Sequence, residues 1–187
     1  MAANKRRLTF KATLAQISVP ATSANLGPGF DSLGLALDLR DRYAAQVLDD
    51  ATFDVDISGE SSSEIKRDKS NLVIKAMLHG FEHMGQKPKG IALRQLNVIP
   101  HGRGLGSSAA AIVGGLALAR LLVLGGEQLL TDDEMIALGT EIEGHPDNIA
   151  AAVLGGATIA WTENNAEKSL GRAVGIKVDP KIKALLF

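Results

Sequence analysis

The chain has 187 residues, 45% of them hydrophobic and 22% charged, with a formal net charge of −1 and no cysteine. That is the composition of a globular protein with a full core, at the length of one domain or one and a fraction. The charge balance supplies no electrostatic case for nucleic acid or an anionic membrane, and disulfides and thiolate metal sites are excluded.

Residues 1–7 are basic, but no apolar run follows them, so they do not read as a secretory signal; a cytoplasmic location is expected. Residues 13–19 predict a short strand closed by Pro20, which cannot donate to a sheet. Gly27-Pro28-Gly29 must turn, with Asn25 and Asp31 on either side. Two readings stay open there: an amide and a carboxylate facing one pocket, or an ordinary turn with Asx capping. Residues 33–39 and 43–48 predict strands around Asp41-Arg42, and residues 53–57 alternate apolar and polar like a half-exposed strand. Residues 58–69 are polar and charged, hence a surface loop. Ser70 is placed to cap a helix with apolar positions Leu72, Val73, Ala76, Met77, Phe81 and Met84, ending at Gly85. His79 and His83 lie one turn apart on it; with no third ligand evident, a solvated face is the expectation. Residues 91–99 predict a strand.

Next comes PHGRGLGSSAAAIVGGLALA, residues 100–119. Gly102, Gly104 and Gly106 alternate through a short loop that runs into Ser107-Ser108 and an alanine-rich helical segment. Glycine lets a ligand approach the main chain closely, and a helix starting near Ser107 leaves its first N–H groups unpaired at a partly positive end. Loop plus helix N-terminus is a means of holding phosphate, and Arg103 adds a cation. Two other patterns compete. GLGSSA fits G-x-G-x-x-G/A with Glu127 downstream as the ribose acid, but the helix shows no break at Arg120-Leu121 to make room for a second strand, and residues 100–103 separate the glycines from the preceding strand. No Gly-Lys-Ser/Thr follows, so a P-loop is excluded. A purely structural glycine turn stays open. Residues 109–126 are nearly apolar, but Arg120 interrupts them and their Ala/Gly content suits a buried helix rather than a membrane span.

Thr131 and Glu134 fit a capping box opening a helix to about Glu143. Gly144 and Pro146 end it, Asp147-Asn148 are placed to cap another helix to Leu154, and Gly155-Gly156 turn the chain into a strand over residues 157–161. Glu141, Glu143, His145, Asp147 and Asn148 put five polar groups into eight residues, either as a site or as polar caps of a helix–turn–helix. Residues 164–169 are a polar loop, residues 176–178 and 182–187 look like strand starts, and the sequence stops inside an apolar run.

PHGRGLGSSAA meets every fixed position of P-x-x-x-G-L-G-S-S-A-A, the phosphate-binding motif of the GHMP kinases, which it resembles. PATSANLGPGFDSLGLAL and EGHPDNIAAAVLGG are similar to two further motifs of the homoserine kinase branch of that family. The resemblance covers residues 13–161 and implies an α+β, two-layer domain like domain 2 of ribosomal protein S5, with a mixed, antiparallel-rich sheet of at least four strands covered by helices on one face. It implies ATP held by Pro100, His101, Gly102, Arg103, Gly104, Leu105, Gly106, Ser107, Ser108, Ala109 and Ala110. Mg²⁺ would be held by Ser108 and Glu141, with Glu143 as second choice. L-homoserine would be bound by Asn25, Asp31, His145 and Asp147, with Asn148 orienting the hydroxyl that is phosphorylated; no general base is assigned. It also implies residues 1–165 as the ATP-binding domain and residues 166–187 as the start of a truncated second domain. From that truncation follow weak ATP binding, negligible turnover and self-association, in the simplest case a homodimer, through Leu185, Leu186 and Phe187. Three alternatives stay open: another GHMP kinase, a dinucleotide-dependent oxidoreductase, and a binding module without turnover.

Overall fold

The computed structural model describes residues 7–164, 169–179 and 181–182. Its elements are β1 (Ala15–Asn25), β2 (Gly29–Leu48), β3 (Phe53–Gly59), α1 (Leu72–Met84), β4 (Gly90–Asn97), α2 (Ser107–Leu122), α3 (Gly126–Leu129), α4 (Asp132–Glu143), α5 (Asp147–Leu154), β5 (Ala157–Asn164) and β6 (Ser169–Ile176). The strands form one six-stranded sheet in the order β3-β4-β2-β5-β6, with β1 also paired to β2. Only β3 and β4, joined through α1, run parallel; the other pairs are antiparallel.

Strand β2 is the spine. Its C-terminal half lies between β1 and β4, Arg42 facing both Ser18 and Leu96, and its N-terminal half between β1 and β5, Gly34 facing both Ala24 and Thr158. The two short strands expected around Asp41-Arg42 are therefore one strand of 20 residues. Pro20 does not end β1. It pairs with Arg40 at a register shift, and β1 continues to Asn25; a bulge on a strand paired along one side only tolerates a residue without an N–H.

Alternation along β4 sends Ile91, Leu93, Gln95 and Asn97 inward and leaves Arg94 and Leu96 outside, and β3 does the same with Val55 and Ile57 against Asp56. Helix α2 runs through the middle of the layer covering the inner side. Its buried residues, among them Ala109, Ala110, Ile112, Leu116, Ala117, Leu118 and Leu122, occupy every face, which accounts for an apolar segment without amphipathic period. Among the described residues no helix is long and apolar enough to cross a membrane. The next strand after α2 is β5, which runs in the same direction as β4 but is separated from it by the antiparallel β2, so α2 does not join neighbouring parallel strands as the helix of a dinucleotide-binding βαβ unit does; Glu127 sits in the one-turn helix α3.

Helix α1 is capped by Asn71, whose side chain accepts from Val73 N and Ile74 N, rather than by Ser70. Ser70 is taken up locally, its N–H and hydroxyl both donating to Asp68. The capping box at Thr131 and Glu134 is present. Strand β6, beyond the expected boundary at residue 165, pairs with β5 along residues 157–164 and packs on α4, Gly171 lying against Thr140. Leu185, Leu186 and Phe187 lie outside the described residues.

Small residues in α2 set its distance from α1. A Cβ on Gly115 would stand 2.5 Å from Val73 O and 3.0 Å from Met77 N, both main chain. Alanine there gains about 1 kcal/mol of helix propensity but must push two helix backbones apart, an overpacking that costs about 1–3 kcal/mol. Gly115→Ala is therefore expected to lower the midpoint of urea unfolding, and a raised midpoint would show that the two helices are not in close contact.

Candidate functional site

The loop between β4 and α2 holds its three alternating glycines at positive φ: Gly102 at 67°, Gly104 at 70° and Gly106 at 64°. A side chain at any of them would strain the backbone. Gly102 and Gly104 have open space where a Cβ would be, whereas at Gly106 it would overlap the hydroxyl of Thr22 and come within 3.2 Å of Asn148 Oδ1. Gly106 is the N-cap of α2, no side chain caps that end, and the first turn carries no acid. The first N–H groups of this 16-residue helix are thus left without a side-chain cap, as an anion site requires.

Other elements converge on this end. Thr22 of β1 donates its N–H to Leu105 O (3.0 Å) and its hydroxyl to Asn148 Oδ1 (2.7 Å), joining β1, the loop and the start of α5. Ser108, in the first turn of α2, donates to Glu143 Oε1 at 2.5 Å. Glu143 is the last residue of α4. Glu141, the expected metal ligand, instead approaches His79 Nε2 of α1 at 3.8 Å. Residues two apart on a helix point to opposite sides, so only one of the two glutamates can reach Ser108, and it is Glu143. His83 likewise meets Glu134 at 3.5 Å, so both histidines of α1 bridge to α4 from a face that is still partly open to solvent.

The segment after α4 folds back on β2. Gly34 lies against the main-chain carbonyl of Asp147, with no room for a Cβ between them, and its strand partner is Ala24, next to Asn25. Asp147 is 1% exposed. Its Oδ1 meets His145 Nδ1 at 2.9 Å and accepts the Asn148 N–H at 2.8 Å. In this arrangement Asp147 orients His145 rather than offering an oxygen outward. Asn25 accepts the main-chain N–H of Asp31 at 2.8 Å across the turn, the Asx-type bond expected of an ordinary turn. Asn25 and Asp31 have φ of 70° and 54°, with Leu26 at 33° between them. Left-handed backbone at non-glycine residues costs energy and concentrates at functional turns.

One feature was invisible in the sequence. Beside the loop lies a pocket of about 190 Å³ walled by Ile65, Leu72, Val73 and Tyr43 and reaching His101, Ser107 and Ser108. Its residues come from β2, the loop after β3, α1, β4, the glycine loop and α2, and the local hint was the polar cap at the start of α1. A wider concavity of about 560 Å³, on Ser18, Arg42, Asp56 and Arg94, is on the outer side of the sheet, away from the helices.

The donor set fits a nucleoside triphosphate with magnesium. The open glycine loop and uncapped helix end suit phosphates. Ser108 and Glu143 offer two hard oxygens, which matches Mg²⁺ held by few protein ligands together with phosphates and water; among the described residues no group of three or more acidic or histidine side chains is placed to hold a metal alone. Gly106→Val is expected to abolish ATP binding in calorimetry while the circular dichroism spectrum stays that of the folded protein; unchanged affinity would remove the loop from the site.

Residues 71–156 match the family of the GHMP kinases N terminal domain. The homoserine kinase of Streptomyces coelicolor is 48% identical over 161 residues, which are 86% of this chain and 52% of that protein. The homoserine kinase of Mycobacterium tuberculosis is 45% identical over 171 residues, 91% of this chain and 54% of the relative. The crystal structure of homoserine kinase from Cytophaga hutchinsonii superimposes with a TM-score of 0.65 at 28% identity, covering 83% of this chain and 50% of that one. The chain thus spans about half the length of the curated relatives it matches.

Proposed function

Because the chain belongs to the GHMP kinase family, we propose that it is the ATP-binding domain of a homoserine kinase, which transfers the γ-phosphoryl group of ATP to the side-chain hydroxyl of L-homoserine. The observation that supports this most is the meeting of three separate motifs at one helix end: Gly106 over Thr22 and Asn148, Ser108 on Glu143, and Asp147 against Gly34. Phosphoryl transfer needs positioning and charge neutralisation more than covalent chemistry, and each of these contacts positions something.

In this reading the N–H groups of residues 102–107 receive the phosphates and the pocket at Ile65, Leu72 and Val73 takes the base. Magnesium, when bound, neutralises phosphate charge and is held by Ser108 and Glu143. Glu143 replaces Glu141 in this role because it is the carboxylate next to Ser108. Asn148, its Oδ1 occupied by the Thr22 hydroxyl, turns its amide N–H groups toward the acceptor hydroxyl and holds it in line. Asn25, Asp31 and His145 receive the amino acid, the carboxylate meeting its ammonium, and Asp147 acts through His145. No residue is assigned as general base. Residues 1–165 form the core of this domain in the proposal; a homodimer and a cytoplasmic location belong to it as expectations only.

The test is ADP release by the protein expressed from its own open reading frame, with Mg²⁺, ATP and L-homoserine, mevalonate or galactose as acceptor. Homoserine alone should support turnover; release with mevalonate or galactose and not with homoserine would move the chain elsewhere in the family. In the same assay Glu143→Gln should raise the Mg²⁺ concentration needed for half-maximal rate by about ten-fold or more, as expected for loss of one charged ligand, while Glu141→Gln leaves it within about two-fold. The reverse pattern would restore Glu141.

A further inference from the structure

We propose that Asp41 is a positioning residue for the phosphate loop: its buried carboxylate sets where the chain leaves β4 and so where the loop presents its N–H groups. This rests on the nucleotide reading above. The antiparallel register of β2 and β4 runs from Leu48↔Gly90 to Arg42↔Leu96 and stops there. Continued by one step, it would place Asp41 opposite Asn97. Instead the side chain of Asp41 takes over from the ladder. Its Oδ1 accepts the N–H of Val98 at 2.6 Å and of Ile99 at 2.9 Å. Pro100 has no N–H. Every donor between the end of β4 and the first loop residue is therefore held by one oxygen atom.

The carboxylate is itself fixed. Asp41 is 1% exposed, and its Oδ2 accepts the hydroxyl of Tyr43 at 2.9 Å. Burial, with the carboxylate beside it, raises the Tyr43 hydroxyl well above its ordinary pKa, so it stays protonated and donates. The Tyr43 ring lies where a Cβ of Gly114 in α2 would stand, 2.5 Å from one ring carbon, and it also walls the pocket next to the loop. Asp41 is thus tied to the strand, to the central helix and to the loop's entry.

The far end of the loop is held separately, by Thr22 N–H on Leu105 O. Between these two anchors the loop keeps open space at Gly102 and Gly104. Such a loop is free to close on an anion only along a path set by its ends. One carboxylate oxygen accepts both N–H groups, and without it one buried and one part-buried main-chain donor would lack a partner, which is costly. Nothing in the reaction uses Asp41 directly. It touches neither the metal pair Ser108–Glu143 nor Asn148 among its hydrogen bonds, and its effect on the site passes through residues 98–100.

A role confined to the loop separates the phosphates from the base. Binding of Mg-ATP and of adenosine to the 187-residue chain is measured by ¹H–¹⁵N NMR titration for the wild type, Asp41→Asn and Asp41→Ala. The asparagine variant keeps shape and one acceptor oxygen. Asp41→Ala should bind Mg-ATP about ten-fold or more weaker, the equivalent of losing one to two buried hydrogen bonds, with adenosine affinity unchanged; Asp41→Asn should fall between, about three-fold weaker than wild type by the same reasoning. Amide resonances of residues 101–106 should move in both variants in the absence of ligand. If the alanine variant does not fold, the asparagine variant decides alone. Wild-type ATP affinity in either folded variant, or equal losses for ATP and adenosine, overturns the proposal, the second by showing that Asp41 acts through the whole fold. Wild-type protein that binds adenosine but gains nothing from the triphosphate would instead bring down the phosphate-loop reading, and this inference with it.

Discussion

The structure depends on one constraint: the N-terminus of a buried helix has to end at the surface with its N–H groups unclaimed by the protein. Helix α2 is surrounded by α1, α4, α5, β1 and β2, so its direction is fixed by packing on every side. Small residues at the contacts, with Gly114 against Tyr43 and Gly115 against α1, let it lie close enough to its neighbours to be rigid. Interiors packed in this way have few alternative arrangements. The end that emerges at Ser107 is consequently placed to within side-chain precision, and it has neither a side-chain cap nor a first-turn acid. An exposed helix could fray to relieve those unpaired donors; one held along its whole length leaves them for a ligand.

The remaining groups of the site are arranged around that end by the long β1–β2 hairpin. Thr22 holds the loop's far end and Asn148, Gly34 admits α5, and Asp41 holds the loop's near end. Positions 22, 34 and 41 lie on one pair of strands and serve the same helix terminus. The hairpin carries both the sheet's register and the site's geometry, so a change that shifts register would misplace every one of these contacts together. Glu143 stands apart from this scheme, being brought in at the end of α4, a helix packed on α2 and fixed at its start by the Thr131–Glu134 capping box.

What could be read from the sequence was local. The glycine loop entering a helix, the capping box, the polar cluster before α5 and the glycine turn at residues 27–29 each lie within about ten residues and carry their chemistry in that span. The structure adds what depends on pairing across the chain. Pro20 signalled a strand end, since its missing N–H is visible in sequence and the bulge that tolerates it is not. Strand β2 was divided because Asp41-Arg42 is a polar pair in an apolar run, and only the fold shows Asp41 turned inward onto main-chain donors. The choice between Glu141 and Glu143 turned on helix phase relative to α2, which spacing alone does not supply. Strand β6 has its apolar residues interrupted by Gly171, Arg172 and Gly175, and only its pairing with β5 reveals it; the pocket beside the loop draws its lining from segments scattered between β2 and α2.

The account as a whole is tested most directly by mapping where Mg-ADP binds on the assigned ¹H–¹⁵N spectrum of the wild-type chain. The largest shifts should fall on Gly102, Gly104, Gly106, Ser107 and Ser108 and on Leu72 and Val73 at the pocket, with Glu143 moving only when Mg²⁺ is present. Shifts confined to the outer side of the sheet, around Arg42 and Arg94, or a spectrum unchanged at saturating nucleotide, would contradict the claim that the uncapped end of α2 is where this protein does its chemistry.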